Sequence, residues 1–161
     1  MNWKKIGIVT GIGAGLTGLA IYFSRLKRAS AELESVATAM IHSVKLDGLT
    51  IRVDVALKNP TGSSFSLKFP FVKILYQDKV VGTSQVINKD IKLPAYGEAK
   101  VEAIMIHIPV TGLFSIGSGL IKLLLQKQPA PIFVKTISTI DLGWKKIPYE
   151  KTDDNTLHPK A

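Results

Sequence analysis

Nineteen consecutive residues, Ile6 to Ser24, carry no charge, and no other feature restricts the possible folds of this chain as strongly. Coiled as a helix at 1.5 Å per residue they reach about 28 Å, close to the roughly 30 Å hydrocarbon core of a bilayer. Trp3 and Tyr22 stand near the two ends, where amphipathic rings settle at headgroup depth. Lys4 and Lys5 precede the run, and Arg25, Lys27 and Arg28 follow it, all able to reach water and phosphate. The sequence therefore predicts a single-pass membrane anchor over residues 1–30, with the lipid bilayer as its first partner.

A cleaved secretory signal is the rival reading, since it too begins basic and continues apolar. A cleavage site wants small residues directly after the apolar stretch. Here the stretch closes in Tyr22-Phe23-Ser24-Arg25-Leu26-Lys27-Arg28, and the small residues Ala29-Ser30-Ala31 come only behind that basic cluster. An uncleaved anchor fits better. The cations on the two sides nearly balance, so the side occupied by the rest of the chain stays open.

Gly7, Gly11 and Gly15 recur at every fourth position, with Ala14 and Gly18 as a second small pair. Such a stripe lets two helix backbones approach closely in lipid, which predicts self-association or docking on another membrane helix. A weakly apolar span with no packing partner is the alternative.

The net charge of +9 divides unevenly: residues 1–30 hold +5 and no acid, and the remainder holds +4. Phosphate recognition needs cations clustered on a folded surface, so the distribution argues against nucleic acid as a partner. With 46% apolar and 20% charged residues and no cysteine, the chain is neither disordered nor disulfide-stapled. Thiol catalysis and Cys-ligated zinc are excluded with them.

Beyond residue 30 the pattern becomes alternation. Leu49, Ile51, Val53, Val55 and Leu57 alternate with Thr50, Arg52, Asp54 and Ala56, the signature of a half-buried strand. Val36 to Leu46 is the preceding strand, with Asp47-Gly48 as the expected hairpin turn. Phe65 to Tyr76 reads as a strand disturbed by Pro70, Gln77-Asp78-Lys79 as a reversal, and Val80 to Ile87 and Asp90 to Leu93 as further strands. Pro94-Ala95-Tyr96-Gly97 turns the chain into Ala99 to Val110, where Ile104, Ile106 and Ile108 share a face. Leu113, Ile116, Leu120, Ile121 and Leu124 fall at helical spacing, ended by Pro129 and Pro131. Ile132 to Leu142 and a short piece at Ile147 to Tyr149 complete an all-β antiparallel sandwich with one inserted helix. The expected organisation is an anchor at 1–30, a sandwich at 31–149 and a polar tail at 150–161.

The run Val53-Asp54-Val55-Ala56-Leu57-Lys58-Asn59-Pro60-Thr61, followed by Val72-Lys73-Ile74-Leu75-Tyr76 and Val80-Val81-Gly82, resembles the late embryogenesis abundant type 2 family, also called the water-stress and hypersensitive-response (WHy) domain. Its signature is an alternating strand closing in Asn-Pro, here Asn59-Pro60, then a strand, a short turn and a Val-Gly pair ending at Gly82. The later order, Ile91-Lys92-Leu93-Pro94, the strand from Ala99, a helix and a last strand, is similar too, so the likeness spans roughly residues 33–149. The resemblance implies an immunoglobulin- or fibronectin-III-like sandwich, commonly behind a membrane helix, with no catalytic residues and no cofactor.

The sequence holds no motif of a catalytic or metal site. His42, His107 and His158 lie far apart and without an HExxH spacing. Asp153-Asp154-Asn155 lacks the glycine and terminal glutamate of a calcium loop. Gly11-Ile12-Gly13-Ala14-Gly15 and Gly117-Ser118-Gly119 lack the strand context and Lys-Ser/Thr ending of a phosphate loop. The expected function is a non-enzymatic, membrane-anchored binding or scaffolding module. The alternatives are a structural component of a membrane-containing assembly, such as a virion or secretion apparatus, and a carrier of a lipid or other apolar ligand between the sheets. Leu123 and Leu125 widen the apolar surface of the helix beyond one stripe, which makes them candidates for partner or lipid contact, or else for packing over an open end of the sandwich.

Overall fold

The computed structural model describes residues 32–115 and 118–159. The predicted anchor therefore lies outside the described residues, together with Trp3, Lys4, Lys5, Gly7, Gly11, Ala14, Gly15, Gly18, Tyr22, Arg25, Lys27 and Arg28. Among the described residues no helix is long and apolar enough to cross a membrane.

Among the described residues nine antiparallel strands form two sheets. The first holds β1 (Glu34–Lys45), β2 (Gly48–Lys58) and β7 (Glu98–Pro109), with β2 in the middle. Its buried row is the alternation read from the sequence: Leu49, Ile51, Val53, Val55 and Leu57 on β2 are almost wholly buried, flanked by Ile104, Ile106 and Ile108 on β7. The second sheet is organised around β8 (Ala130–Asp141). β9 (Lys146–Leu157) pairs along the full length of one edge of β8. The other edge is shared by β4 (Phe71–Tyr76) and β3 (Phe65–Lys68). β5 (Lys79–Thr83) extends β4, and β6 (Asp90–Leu93) extends β3. The buried faces of the two sheets make one apolar core. At Gly82 on β5 the layers approach so closely that a Cβ would come within 2.8 Å of Ile108 and 2.9 Å of Ile106.

Several expected elements differ. The β1–β2 turn is Leu46-Asp47, one residue earlier than expected, and Gly48 is already in the ladder. A Cβ on Gly48 would lie 2.2 Å from the Ile108 carbonyl oxygen, so glycine is needed there for close approach and not for the turn. The strand expected over Phe65 to Tyr76 breaks at Phe69-Pro70 into β3 and β4. The strand expected to reach Ile87 ends at Thr83, because the Ser84 hydroxyl accepts the Val72 amide at 2.9 Å and replaces the next ladder bond. Where the sequence predicts one inserted helix, the described residues hold two helical segments, α1 (Val110–Ser115) and α2 (Ser118–Leu125). The Ser115 hydroxyl donates back to the Thr111 carbonyl at 2.9 Å.

The largest correction concerns residues 150–161. The expected polar tail is instead most of β9, which runs to Leu157, a fully buried residue. Its inward positions hold Tyr149, Lys151, Asp153 and Asn155, whose partner is the edge of β1. Asp153 accepts the Ala37 amide at 3.0 Å, and Asn155 accepts the Ala39 amide at 2.9 Å while donating to the Ala37 carbonyl at 3.0 Å. Lys151 donates to the Ser35 carbonyl, and the Ser35 and Tyr149 hydroxyls lie 2.7 Å apart. The inward residues of β1 here are Ser35, Ala37 and Ala39, short enough to leave these side chains room. One side of the sandwich is thus closed by side chains acting as a missing strand.

Candidate binding site at the helical end

The two ends of the sandwich are different. One holds the start of β1, the Asn59 loop and the β8–β9 turn. Asn59 is wholly buried. Its amide nitrogen donates to the carbonyls of Ser63 (2.7 Å) and Pro94 (3.0 Å), and its oxygen accepts the Thr61 amide (3.0 Å) and hydroxyl (2.7 Å). The Asn-Pro signature therefore ties the loop after β2 to the turn after β6. Asn59 and Gly82 are fold determinants, and the structure gives neither a place in a site.

The other end carries the Leu46-Asp47 turn, α1 and α2. Leu113 and Leu120 are buried and fix the two helices to the sandwich, and the Val110 amide donates to the Asp47 carbonyl at 3.0 Å. At Gly119 a Cβ would meet the Tyr76 hydroxyl at 2.7 Å, so α2 lies tightly against the end of β4. The helix closes with the Gln128 amide donating to the Leu123 carbonyl (2.8 Å) and the Lys127 amide to that of Leu124 (3.1 Å). This pair of bonds is a Schellman motif, with Lys127 at φ 56° in the position glycine usually takes.

Between the hairpin tip and the helices lies a partly open cleft of about 850 Å³. Ten of its fourteen lining residues are Val, Ile, Leu or Phe; Gly48, Pro159, Lys45 and Lys127 complete it. Its rim is exposed: Leu46 is 100% accessible, Leu125 79%, Val44 69% and Phe114 66%. Among the described residues the lining holds no carboxylate, imidazole or hydroxyl, so it offers apolar surface and the two lysine amines.

The two leucines singled out from the sequence separate here. Leu125 stands on the rim, whereas Leu123 is half-buried and packs on the core. Val44, Leu46 and Phe114 were not readable as candidates, although a leucine at the centre of a two-residue turn, where polar residues are usual, was a usable signal. His42 and His107 lie on the first sheet, with His107 Nδ1 3.3 Å from the Thr50 hydroxyl, and His158 follows β9. Among the described residues no three His, Asp or Glu side chains gather as a metal site would require.

The sequence matches no protein-family model and no curated protein. Solved structures that superpose with a TM-score above 0.5 share the fold. A protein from Archaeoglobus fulgidus superposes with a TM-score of 0.53 at 13% identity, over 81% of this chain and 99% of its own. AT1g01470 from Arabidopsis thaliana also gives 0.53, at 18% identity over 81% and 83%. A structure described as a late embryogenesis abundant (LEA) protein, At2g46140.1, matches at 18% identity over 89% and 87%, with a TM-score of 0.41.

Proposed function

We propose that this protein is a membrane-anchored, non-catalytic binding module of the late embryogenesis abundant type 2 kind, with an immunoglobulin- or fibronectin-III-like sandwich that receives an apolar partner at its helical end. The observation that carries the reading is the cleft between the β1–β2 tip and the helices, with its rim of exposed Val44, Leu46, Phe114 and Leu125. A single exposed leucine is ordinary, but four large apolar side chains around one concavity are characteristic of an interaction site. The side chains between the sheets form one continuous buried apolar cluster, and the helical end carries the exposed apolar rim. The basic-flanked run at Ile6 to Ser24 supports the anchor, and the Asn59-Pro60 and Gly82 signature supports the kinship.

Two measurements test this reading. Carbonate extraction should leave the full chain in the membrane and release a chain beginning at Ala31, with protease access reporting the side occupied by the sandwich. Release of both removes the anchor. In lipid nanodiscs, Leu46→Gln with Leu125→Gln should lower the fluorescence of a bound apolar dye by more than half, measured against empty discs, with little change in melting temperature. Unchanged fluorescence removes the cleft as the binding surface.

A further inference from the structure

The helical-end cleft also has a chemical preference. Among the described residues its only charged lining residues are Lys45, on the β1–β2 tip, and Lys127, at the end of α2, and no acid lines it. A volume of about 850 Å³ falls within the roughly 300–1,000 Å³ of small-molecule sites. An apolar trough closed by two ammonium groups matches a molecule that is hydrocarbon along most of its length and negative at one end.

Position in the fold narrows the occupant further. β1 runs from Glu34 to Lys45, so the cleft stands roughly 36 Å, at about 3.3 Å per residue, from the point where the chain arrives from its N-terminal segment. A cleft set that far from an N-terminal anchor can stand clear of the bilayer, where an occupant is a single molecule that has left it.

Lys127 has a backbone conformation that favours glycine, with φ 56°, so a lysine there costs stability where glycine would not. Lys127 thus holds its charge beside the cleft at a position where glycine would be the more stable choice.

We propose that the cleft binds a single-chain anionic amphiphile of the fatty-acid class, its hydrocarbon chain lying between the β1–β2 tip and the two helices and its head group meeting Lys45 and Lys127. This deepens the reading of the helical end as an apolar binding site and rests on it. Each methylene buried should raise affinity about fourfold. One lysine removed beside the head group should lower it about fivefold.

The experiment uses the full chain in membranes with two diazirine-labelled probes, hexadecanoic acid and hexadecanol. After illumination the acid should label peptides carrying Leu46, Phe114 and Leu125, and outlabel the alcohol several-fold. Lys45→Gln and Lys127→Gln should each lower labelling by the acid about fivefold and leave the alcohol unchanged. Lys127→Gly keeps the proposal falsifiable against misfolding: it should raise the melting temperature and still lower labelling by the acid. Equal labelling by both probes overturns the anionic preference while the apolar site stands. Absence of cleft labelling by either probe overturns the apolar site itself. Photo-leucine at position 125 that captures a second copy of the chain, with no lipid label, makes the cleft an interface between copies and overturns the proposal.

Discussion

The Asn155 side chain meets the Ala37 backbone as a neighbouring strand would: its amide nitrogen donates to the Ala37 carbonyl at 3.0 Å. Its oxygen takes the Ala39 amide at 2.9 Å, so one carboxamide fills both a donor and an acceptor position on the open edge of β1. Asn155→Ala should destabilise the fold by about 1–3 kcal/mol, because two partly buried backbone groups lose their partners. Asn155→Asp keeps the acceptor for Ala39 but sets a carboxylate oxygen against the Ala37 carbonyl, so it should cost no less than alanine at pH 7 and recover as pH falls and the carboxyl can donate. Urea midpoints give the ordering, and amide exchange at Ala39 should accelerate in the alanine variant. Equal exchange would show that the edge does not depend on Asn155.

The Asn59 loop gives a second prediction. Four hydrogen bonds converge on one buried carboxamide. Asn59→Ala should cost about 2–4 kcal/mol, since the Ser63 and Pro94 carbonyls and the Thr61 donors lose a common partner. Asn59→Asp should be no milder, because it turns the two donated bonds into repulsive contacts with carbonyl oxygens. A thermal unfolding series that ranked either variant with the wild type would show the loop to be held by other means.

Between β4 and β5 the two turn residues Gln77 and Asp78 have φ of 49° and 63°. Both central positions of the turn are left-handed, the pattern of a type I′ hairpin, yet neither residue is glycine. Asp78→Gly should raise stability by about 1 kcal/mol, and with it the melting temperature by about 3 °C. A lower melting temperature would mean that the Asp78 side chain contributes more than its backbone strain costs.

Thr136 is fully buried in β8, and its hydroxyl finds no hydrogen-bond partner among the described residues. Valine has nearly the same shape and no hydroxyl to desolvate. Thr136→Val should therefore stabilise by about 1 kcal/mol. A clear loss of stability in a denaturant titration would reveal a bond made by the hydroxyl in solution.

Asp54 predicts a pH dependence. On β2 it accepts the Arg52 guanidinium at 3.0 Å and, across a bulge in β7, the Ala103 amide at 2.7 Å. Burial alone would raise its pKa, but the Arg52 bond, the Ala103 bond and the charges of Arg52 and Lys100 outweigh burial and hold it below the ordinary 3.8. A carboxyl depressed in the folded state adds stability above its unfolded pKa and loses that contribution as pH falls through the folded value. The wild type should exceed Asp54→Asn in stability at pH 7, with the gap closing below about pH 4. A gap equally wide at pH 2.5 would exclude ionised Asp54 as its source.

The parts of this fold that were legible in the sequence are those where burial follows side-chain period. β2 and β7 bury one face each, so Leu49 to Leu57 and Ile104 to Ile108 announce themselves. β9 was illegible for the opposite reason: Lys151, Asp153 and Asn155 point inward because their partner is the backbone edge of β1, and no hydrophobicity pattern encodes that. The candidate site was half legible. The leucines of α2 stood out as an excess over one helical stripe, but the other half of the cleft is a hairpin tip displaced by one residue from the expected turn, which placed Leu46 within a strand. Only the three-dimensional meeting of that tip with α1 makes Val44, Leu46 and Phe114 into one surface.

The lacing of β1 to β9 has a mechanical consequence. Ser35, Ala37 and Ala39 meet Lys151, Asp153 and Asn155 in the same order along the chain, so the two strands run side by side in one direction. Tension applied between the segment preceding Leu33 and the chain beyond Leu157 would pull the strands past each other lengthwise. All the lacing bonds would then resist together, as a seam in shear, whereas peeling would break them one at a time. A domain loaded through those two ends is thereby built to bear force.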